Sequence, residues 1–258
     1  MRIFFATSEV PPTPSGMARM AQHLTEGFRA RGHEVDVLAA ERLPRIAMRD
    51  VRIPALAPRW RGVSRRARAA DIVSLHGTIP AFSDVFFALS RAHRDMPPIV
   101  YSHHMDIRFR RGGAITDAYG AIYRRLMRRA AATVAATEAT ASALRDGGQR
   151  NVSAIPYGFD PALVRHDVAK TAEFSVLFVG QLRPYKGVDV LLRAMQRLPG
   201  VRLRIAGRGY AEAEYRAMAR RLGLPSVEFL GAVSDDDLWR LYAESHVFVL
   251  PSTEMEYF

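Results

Sequence analysis

The stretch VLFVGQLRPYKGVDVLLRAM, residues 176–195, decides the fold of the second half of the chain. A short apolar run at 175–179 is typical of a buried parallel strand. The segment 181–186 contains a proline and two cations and is predicted as a loop. Apolar residues then recur at helical spacing from 188 to 195. The order strand, loop, helix is the unit from which parallel α/β sheets are built.

The same alternation continues to the end of the chain. Strands are predicted at 201–206, 227–230 and 246–250, with helices at 211–222 and 235–244. Strands that alternate with helices predict an open, doubly wound α/β domain. Such sheets have about five or six strands, so we expect this domain to be incomplete, with an exposed edge at its last strand.

The N-terminal residues predict a βαβ unit of their own. A buried strand at 2–6 is followed by a proline-rich loop at 7–15 and an apolar helical face at 16–31. Gly32 stands where a left-handed cap residue belongs, and a second strand follows at 34–40. Further strands are predicted at 71–75, 99–102, 133–136 and 153–156. The chain is therefore expected to be α/β throughout, with two Rossmann-like domains.

Polarity and charge divide the chain at the same place. Helix signals stop in the polar segment 165–174, so we predict one domain at 1–165 and another at 166–258. The formal net charge is +11, and residues 1–165 account for all of it, with 25 Arg against 14 Asp and Glu. A basic domain suits an anionic partner such as a membrane surface, a nucleic acid or an anionic substrate. The alternative is an arginine-rich solvated surface.

Composition excludes several classes of protein. Hydrophobic residues make up 48% and charged residues 24%, which is typical of a globular chain. No apolar run approaches the roughly 18–20 residues of a membrane span. The sequence has no cysteine, so disulfides, iron–sulfur clusters and thiol catalysis are excluded.

The densest basic cluster is RWRGVSRRAR, residues 59–68. We predict that it contacts an anionic membrane surface or an acceptor, with its tryptophan at the interface. The residues assigned to this contact are Arg59, Trp60, Arg61, Arg65, Arg66 and Arg68. The chain has no recognisable nucleic-acid-binding motif, so we expect no nucleic acid as a partner.

Several motifs together point to a family. The strongest are the block 176–195 and the ending PSTEMEYF at 251–258. Shorter matches in the first half are Ser15–Gly16, GHEV at 32–35, DIVSLHG at 71–77, SHHMD at 102–106 and IPYGFD at 155–160. With these motifs the chain resembles the retaining nucleotide-sugar glycosyltransferases of family GT4, which have the two-domain GT-B architecture. The resemblance implies transfer of a hexose from a nucleoside diphosphate-sugar to a hydroxyl of a glycan or lipid-linked acceptor, in cell-envelope or exopolysaccharide assembly.

The resemblance also implies a donor diphosphate site. Enzymes of this kind neutralise the leaving diphosphate with basic side chains and helix N-termini, without a metal or another cofactor. Arg183 and Lys186 match the family's cations in the loop after a strand, where α/β sheets place their ligands. Gly16 matches a glycine that lets the backbone approach the donor phosphates. The alternatives are solvated loop cations, and a simple helix start with Ser15 as N-cap.

Two further residues match the family's catalytic positions. His104, with Asp106 two residues on, matches a histidine that projects towards the donor sugar and phosphate. Glu256 matches the first glutamate of the E-x7-E motif, although Glu254 competes for that position. The second glutamate would fall beyond Phe258, so we expect residues 1–258 to be a fragment with little transferase activity.

Three other patterns are interpreted as structural, and we expect no metal site. The ligands in SHHMD at 102–106 lie too close in sequence to converge on a metal without others. The three aspartates at 235–237 are better explained as the first turn of a helix with Ser234 as N-cap. The pair Gly207 and Gly209 lacks the third glycine of a dinucleotide fingerprint.

The chain is thus expected to be a hexosyltransferase. We expect it to be cytoplasmic and peripheral on the inner face of the membrane. The alternative is a sugar-nucleotide epimerase of a related two-domain fold, which would convert its donor without an acceptor. A nucleic-acid-binding module is a third hypothesis, based on charge alone.

Overall fold

A computed structural model gives the fold of most of the chain. It describes residues 1–13, 15–48, 51–104 and 113–253. These residues form two compact units, with the division between Tyr157 and Gly158. Each unit is an α/β domain with a parallel sheet, which is the predicted fold class.

The division differs from the predicted domain boundary after Arg165. Residues 158–165 group with the second unit and not with the first. Within the second unit, the ring of Phe159 packs against Trp239, with 6.1 Å between the ring centroids, and Arg165 forms an ion pair of 3.0 Å with Asp236. These contacts join the segment to a helix distant in sequence, which a search for helix signals does not detect.

The first unit consists of a parallel sheet, a small antiparallel hairpin and the helices between them. Its strands are β1 (Arg2–Thr7), β2 (Glu34–Ala39), β3 (Arg45–Met48), β4 (Val51–Pro54), β5 (Ile72–Gly77), β6 (Ile99–His103), β7 (Ala132–Ala135) and β8 (Val152–Ala154). Its helices are α1 (Gly16–Ala30), α2 (Trp60–Arg68), α3 (Ser83–Ser90), α4 (Gly113–Met127) and α5 (Glu138–Asp146). The six-stranded sheet has the order β2-β1-β5-β6-β7-β8, while β3 pairs with β4. The order reverses between β1 and β5, and ligands of such sheets bind at the carboxyl ends of the strands beside that point.

Helices cover both faces of this sheet. Successive side chains of a strand point to opposite faces, so neighbouring residues of β1 pack against different helices. Phe4 packs against Phe86 of α3, with 6.1 Å between ring centroids. Phe5 packs against Phe28 of α1 on the other face, at 6.5 Å. Phe4 and Phe5 have no exposed surface, and burying each such ring contributes about 1.5–3 kcal/mol.

Helix α1 has the ends that the sequence predicts. The hydroxyl of Ser15 accepts a hydrogen bond of 3.0 Å from the N–H of Ala18, which caps the first turn. Beyond the last turn, Gly32 has φ of 79°, a left-handed conformation that favours glycine. Helix α1 is the next helix after β1 in the chain, and β1 lies beside the reversal of the strand order.

The second unit has one parallel sheet. Its strands are β9 (Ser175–Val179), β10 (Arg202–Ala206), β11 (Val227–Gly231) and β12 (Val247–Phe248), and its helices are α6 (Val188–Met195), α7 (Glu212–Arg221) and α8 (Asp235–Glu244). The strand order is β11-β10-β9-β12, so it reverses between β9 and β12. Val247 and Phe248 are 41% and 46% exposed, and in the described part of the chain β12 is an edge strand. It is shorter than the predicted strand 246–250.

Candidate functional site

In the first unit, β5 and β6 end side by side and bring two histidines together. Gly77 is in register with His103, and the N–H of His104 continues the ladder with a hydrogen bond of 2.8 Å to the carbonyl of Gly77. The rings of His76 and His104 are stacked, with centroids 5.3 Å apart. The Nδ1 atom of His76 lies 3.0 Å from Nε2 of His104. The predicted site residue His104 is thus half of a histidine pair.

Two hydroxyl groups extend this pair into a hydrogen-bonded chain. Ser74 Oγ lies 3.0 Å from Nε2 of His76 at one end. At the other end, the hydroxyl of Tyr157 is hydrogen-bonded to Nδ1 of His104. His76 and His104 are 1% and 8% exposed, whereas Tyr157 is 45% exposed. Both ring nitrogens of each histidine are therefore engaged inside the unit.

Burial keeps the histidine pair uncharged. Burial, with a smaller contribution from the proximity of His103, lowers the pKa of His104 to about 4. Burial, and then the proximity of His104, also lowers the pKa of His76 well below its usual value. At neutral pH both imidazoles are thus neutral, and each has one N–H donor and one acceptor nitrogen.

A second network of hydroxyl groups lies at the same strand ends. The hydroxyl of Tyr101 lies 2.8 Å from that of Tyr123 and 3.1 Å from Thr78 Oγ1. The hydroxyl of Tyr123 also lies 2.9 Å from Ser83 Oγ, and Nδ1 of His103 lies 3.5 Å from the hydroxyl of Tyr101. Burial raises the pKa of Tyr123. This network joins β6, α3 and α4 to the residue that follows β5, and it so stabilises the strand ends that present the histidines.

Gly16 lies at the first position of α1. It is exposed, and no atom lies within 4 Å of the position that a Cβ would take. Packing therefore does not require a glycine here. Ser15 caps the helix and also donates a hydrogen bond to the carboxylate of Glu9, so a negative charge already lies beside this helix N-terminus. The contact of Gly16 with donor phosphates stays a prediction.

In the second unit, Arg183 and Lys186 lie in the loop after β9, beside the reversal of the strand order. Arg183 is exposed. Lys186 is half-buried, with Nζ 5.2 Å from the centroid of the Tyr185 ring. The structure thus brings both predicted cations to the position where a parallel α/β sheet places its ligand.

Close backbone packing fixes this loop against the segment after β12. Gly187 has φ of 67°, and a Cβ at this residue would lie 2.0 Å from the carbonyl oxygen of Pro251. Next to it, the N–H of Thr253 donates a hydrogen bond of 2.8 Å to the carbonyl of Tyr185. A side chain at position 187 would therefore push the two segments apart.

The loop after β10 packs against the same loop from the other side. A Cβ at Gly207 would lie 1.9 Å from the carbonyl oxygen of Gly180, and one at Gly209 would lie 2.2 Å from that of Leu182. The N–H of Leu182 donates a hydrogen bond of 2.9 Å to the carbonyl of Arg208. The two glycines that resemble part of a dinucleotide fingerprint thus permit close loop packing in this unit.

The aspartates at 235–237 form the first turn of α8, as predicted. The hydroxyl of Ser234 accepts a hydrogen bond of 3.1 Å from the N–H of Asp237 and donates one of 2.6 Å to its carboxylate. Within the described ranges, no three of the His, Asp and Glu side chains come together as possible metal ligands. Asp106, Glu254 and Glu256 lie outside the described residues.

The predicted membrane contact of Trp60 is wrong. This side chain is 8% exposed and stands at right angles to Phe86, with 5.3 Å between ring centroids. Its indole N–H donates a hydrogen bond of 3.2 Å to Nε2 of His93. Trp60, Val63 and Ala67 form the buried face of α2, so Trp60 belongs to the core of the unit.

The arginines of the same cluster fall into two groups. Arg66 pairs with Asp36, its Nε atom lying 2.9 Å from the carboxylate, and Arg68 pairs with Asp95 at 2.9 Å. Arg59, Arg61 and Arg65 are exposed. No helix in the described part of the chain is both long enough and apolar enough to cross a bilayer.

Sequence reasoning did not assign His76 or Tyr157 to the site. Both residues lie in motifs that carry the family resemblance, DIVSLHG at 71–77 and IPYGFD at 155–160. They reach His104 only through the fold, because His76 is 28 and Tyr157 is 53 positions away along the chain. A second sequence signal was their place directly after predicted strands, at 71–75 and 153–156.

Comparison with protein families assigns both parts of the chain. Residues 14–163 match the family model described as Glycosyltransferase Family 4, and residues 163–258 match the one described as Glycosyl transferases group 1. The chain belongs to glycosyltransferase family 4. The resemblance that the sequence motifs indicated is thus confirmed.

Curated proteins of this family include relatives of the chain. It is 34% identical over 199 residues to D-rhamnosyltransferase WbpZ of Pseudomonas aeruginosa, a match that covers 72% of this chain and 50% of the relative. It is 38% identical over 107 residues to O-antigen chain mannosyltransferase C of Escherichia coli, which covers 38% of this chain and 28% of the relative. The chain thus spans about half the length of the first relative and less of the second.

Solved structures show the same fold. HepE from Anabaena, crystallised with UDP and glucose, matches with a TM-score of 0.69 and 20% identity over 100% of this chain and 76% of that one. Sucrose-phosphate synthase from Thermosynechococcus elongatus matches with a TM-score of 0.72 and 17% identity, over 100% and 77%. The predicted fold class of two Rossmann-like domains is therefore confirmed.

Proposed function

We propose that this protein transfers a hexose from a nucleoside diphosphate-sugar to a hydroxyl of a glycan or lipid-linked acceptor, with retention of the anomeric configuration. Membership of glycosyltransferase family 4 supports the proposal, as do relatives named as a rhamnosyltransferase and a mannosyltransferase. The observation that carries it is the pair Arg183 and Lys186, which lies in a closely packed loop where the strand order of the second sheet reverses.

These cations supply what a departing diphosphate needs. Negative charge builds up on the phosphate oxygens as the bond to the sugar breaks, and a fixed cation about 4 Å away stabilises it by about 4 kcal/mol at an effective dielectric constant of ~20. With Arg183 and Lys186 in this role, we propose that the reaction needs no divalent metal and no other cofactor. Glu256 keeps its predicted role at the donor sugar, outside the described residues.

We assign the acceptor side of the reaction to the first unit. Its histidine pair is neutral and hydrogen-bonded, so it suits contacts with uncharged hydroxyl groups better than neutralisation of phosphate. His104 is the residue proposed to act near the reacting hydroxyl, and the exposed N-terminus of α1 at Gly16 is proposed to approach the donor phosphates. No nucleic acid takes part in the proposed reaction.

The first unit is also proposed to bind the inner surface of the membrane peripherally. Arg59, Arg61 and Arg65 support this, because they are exposed along one short segment of the basic half of the chain. Each arginine near an anionic surface contributes about 1 kcal/mol. Trp60 has no part in the contact, since it lies in the core.

A transfer assay tests the proposed function. UDP-, GDP- and ADP-hexoses are each incubated with the protein and a lipid-linked glycan acceptor, with and without EDTA, and the anomeric configuration of the product is determined by NMR. We expect a retained glycoside with one donor, formed equally well with EDTA. Conversion of the donor without an acceptor would instead indicate an epimerase. A product of inverted configuration, or no product from any donor with the protein expressed from its full reading frame, would refute the proposal.

A further inference from the structure

The hydrogen-bonded chain in the first unit has one order of protons that its chemistry favours. It runs from Ser74 through His76 and His104 to Tyr157, with one proton for each of its three contacts. The two histidines are neutral, so each donates through one nitrogen and accepts through the other. The direction of the whole chain is therefore set by which end donates.

The tyrosine end is the stronger donor. A phenol, with a pKa of about 10, is far more acidic than a serine hydroxyl, and an imidazole nitrogen is a good acceptor. If the hydroxyl of Tyr157 donates to Nδ1 of His104, the proton of His104 is on Nε2 and points to Nδ1 of His76. The proton of His76 is then also on Nε2 and points to Ser74 Oγ. In this order each of the three contacts has one donor and one acceptor, and the hydroxyl of Ser74 accepts while it keeps its own proton.

The exposure of the four groups points to where a substrate meets the chain. Both nitrogens of His104 have partners inside the unit, and its ring is 8% exposed. Tyr157 is 45% exposed, and its oxygen retains lone pairs when its proton is donated to His104. Tyr157 is thus the more exposed end of the chain, since Ser74 at the other end is half-buried.

We propose that Tyr157 fixes His104 as the Nε2–H tautomer and that its oxygen accepts a hydrogen bond from a substrate hydroxyl. His76 is a positioning residue, which holds the His104 ring from the other side. The substrate contact rests on the proposed transferase function, whereas the order of protons does not. The proposal moves the contact with the reacting hydroxyl from His104 to Tyr157.

NMR of the histidine nitrogens tests the order of protons without any assay of activity. The 258-residue chain is labelled with ¹⁵N-histidine, and the His76→Gln and His104→Gln variants assign the two signals among the eight histidines. We expect Nε2–H tautomers for both residues. The Tyr157→Phe variant should lose the fixed tautomer of His104, whereas Tyr210→Phe, at a tyrosine that is 74% exposed in the second unit, should not change it. An Nδ1–H tautomer in the unmodified chain, or no change in Tyr157→Phe, would overturn the proposal.

Steady-state kinetics test the substrate contact. Tyr157→Phe removes one hydrogen bond at the proposed reacting hydroxyl, so we expect kcat to fall about tenfold, with the KM for the donor nearly unchanged. Tyr210→Phe serves again as the matched control. Equal kcat in the two variants would refute the contact. If the unmodified protein transferred no sugar at all, the contact would fall with the proposed function, and the NMR result would still decide the order of protons.

Discussion

In the first unit, the predicted site residue His104 is buried, uncharged and hydrogen-bonded through both ring nitrogens. In the second unit, the predicted site residue Arg183 is exposed and charged, and it lies in a loop whose shape depends on glycines. The two sheets have the same kind of topology, and both sites lie beside a reversal of strand order.

The difference shows that one architecture can preorganise a site in two ways. In the first unit, side chains orient one another through hydrogen bonds, so exchanging a side chain should change protonation and geometry. In the second unit, the backbone positions the cations, so exchanging a cation should remove charge and leave the fold intact.

The largest expected effect concerns the cations of the second unit. Arg183→Ala and Lys186→Ala should each lower turnover by about 10²–10³-fold, equivalent to about 2.7–4 kcal/mol of transition-state stabilisation. Because the backbone and not these side chains shapes the loop, the melting temperature should stay the same. Turnover and thermal unfolding are measured beside Arg193→Ala, an exposed arginine on α6. Near-normal turnover in both variants would remove the diphosphate assignment.

The next effect concerns the backbone that positions these cations. Gly187 and Gly223 have nearly the same left-handed φ, 67° and 65°, but only Gly187 has an atom within 4 Å of a Cβ position. Gly223→Ala should therefore cost about 1 kcal/mol for the left-handed conformation alone. Gly187→Ala should cost about 3 kcal/mol or more, because its Cβ would collide with the backbone at Pro251. Urea unfolding measures both, and equal costs would show that the loop yields to the collision.

The strands and helices were predictable because they are local patterns. A short apolar run locates β9, apolar residues at helical spacing locate α6, and Ser234 locates the start of α8. Ser15 and Gly32 locate the ends of α1. The site network was not predictable in this way, because its contacts join residues that are 28 and 53 positions apart. They depend on which strands become neighbours in the sheet.

The error at Trp60 has a physical reason too. Arginines surround this residue in the sequence and suggest a surface position. The same segment is a helix, and Trp60, Val63 and Ala67 recur at helical spacing on its buried face. The prediction of a surface position relied on the density of arginines and overlooked this short apolar stripe. The spacing was therefore the better guide to burial than the neighbouring charges.

A smaller effect tests the neutral histidines of the first unit. Burial lowers the folded-state pKa of His104 from 6.5 to about 4, and it lowers that of His76 too. The unfolded chain therefore binds protons first as the pH falls below about 6.5, and the stability that is complete above this pH is lost on acidification. Each histidine should contribute about 1.4 kcal/mol per pH unit.

Urea unfolding at several pH values between about 7.5 and 5 measures this slope. His104→Gln should flatten the dependence by the share of one histidine. His23→Gln, at an exposed position on α1, is the matched control for replacing a histidine by glutamine. A slope in His104→Gln as steep as that of the unmodified protein would show that His104 is not held neutral in the fold.

The smallest expected effect concerns the surface of the first unit. Arg61→Gln or Arg65→Gln should weaken binding to vesicles of anionic lipid by about 1 kcal/mol, or about fivefold, because each removes one exposed charge near the membrane. Arg193→Gln removes the same charge from the second unit and should leave the affinity unchanged. Binding is measured by vesicle sedimentation at low and high salt, and screening should weaken it at high salt.

Since Trp60 is buried, its fluorescence should not change when vesicles bind. Equal partitioning of the protein to neutral and anionic vesicles would contradict the membrane proposal. Equal weakening by Arg193→Gln would instead mean that overall charge, and not the surface of α2, governs the binding.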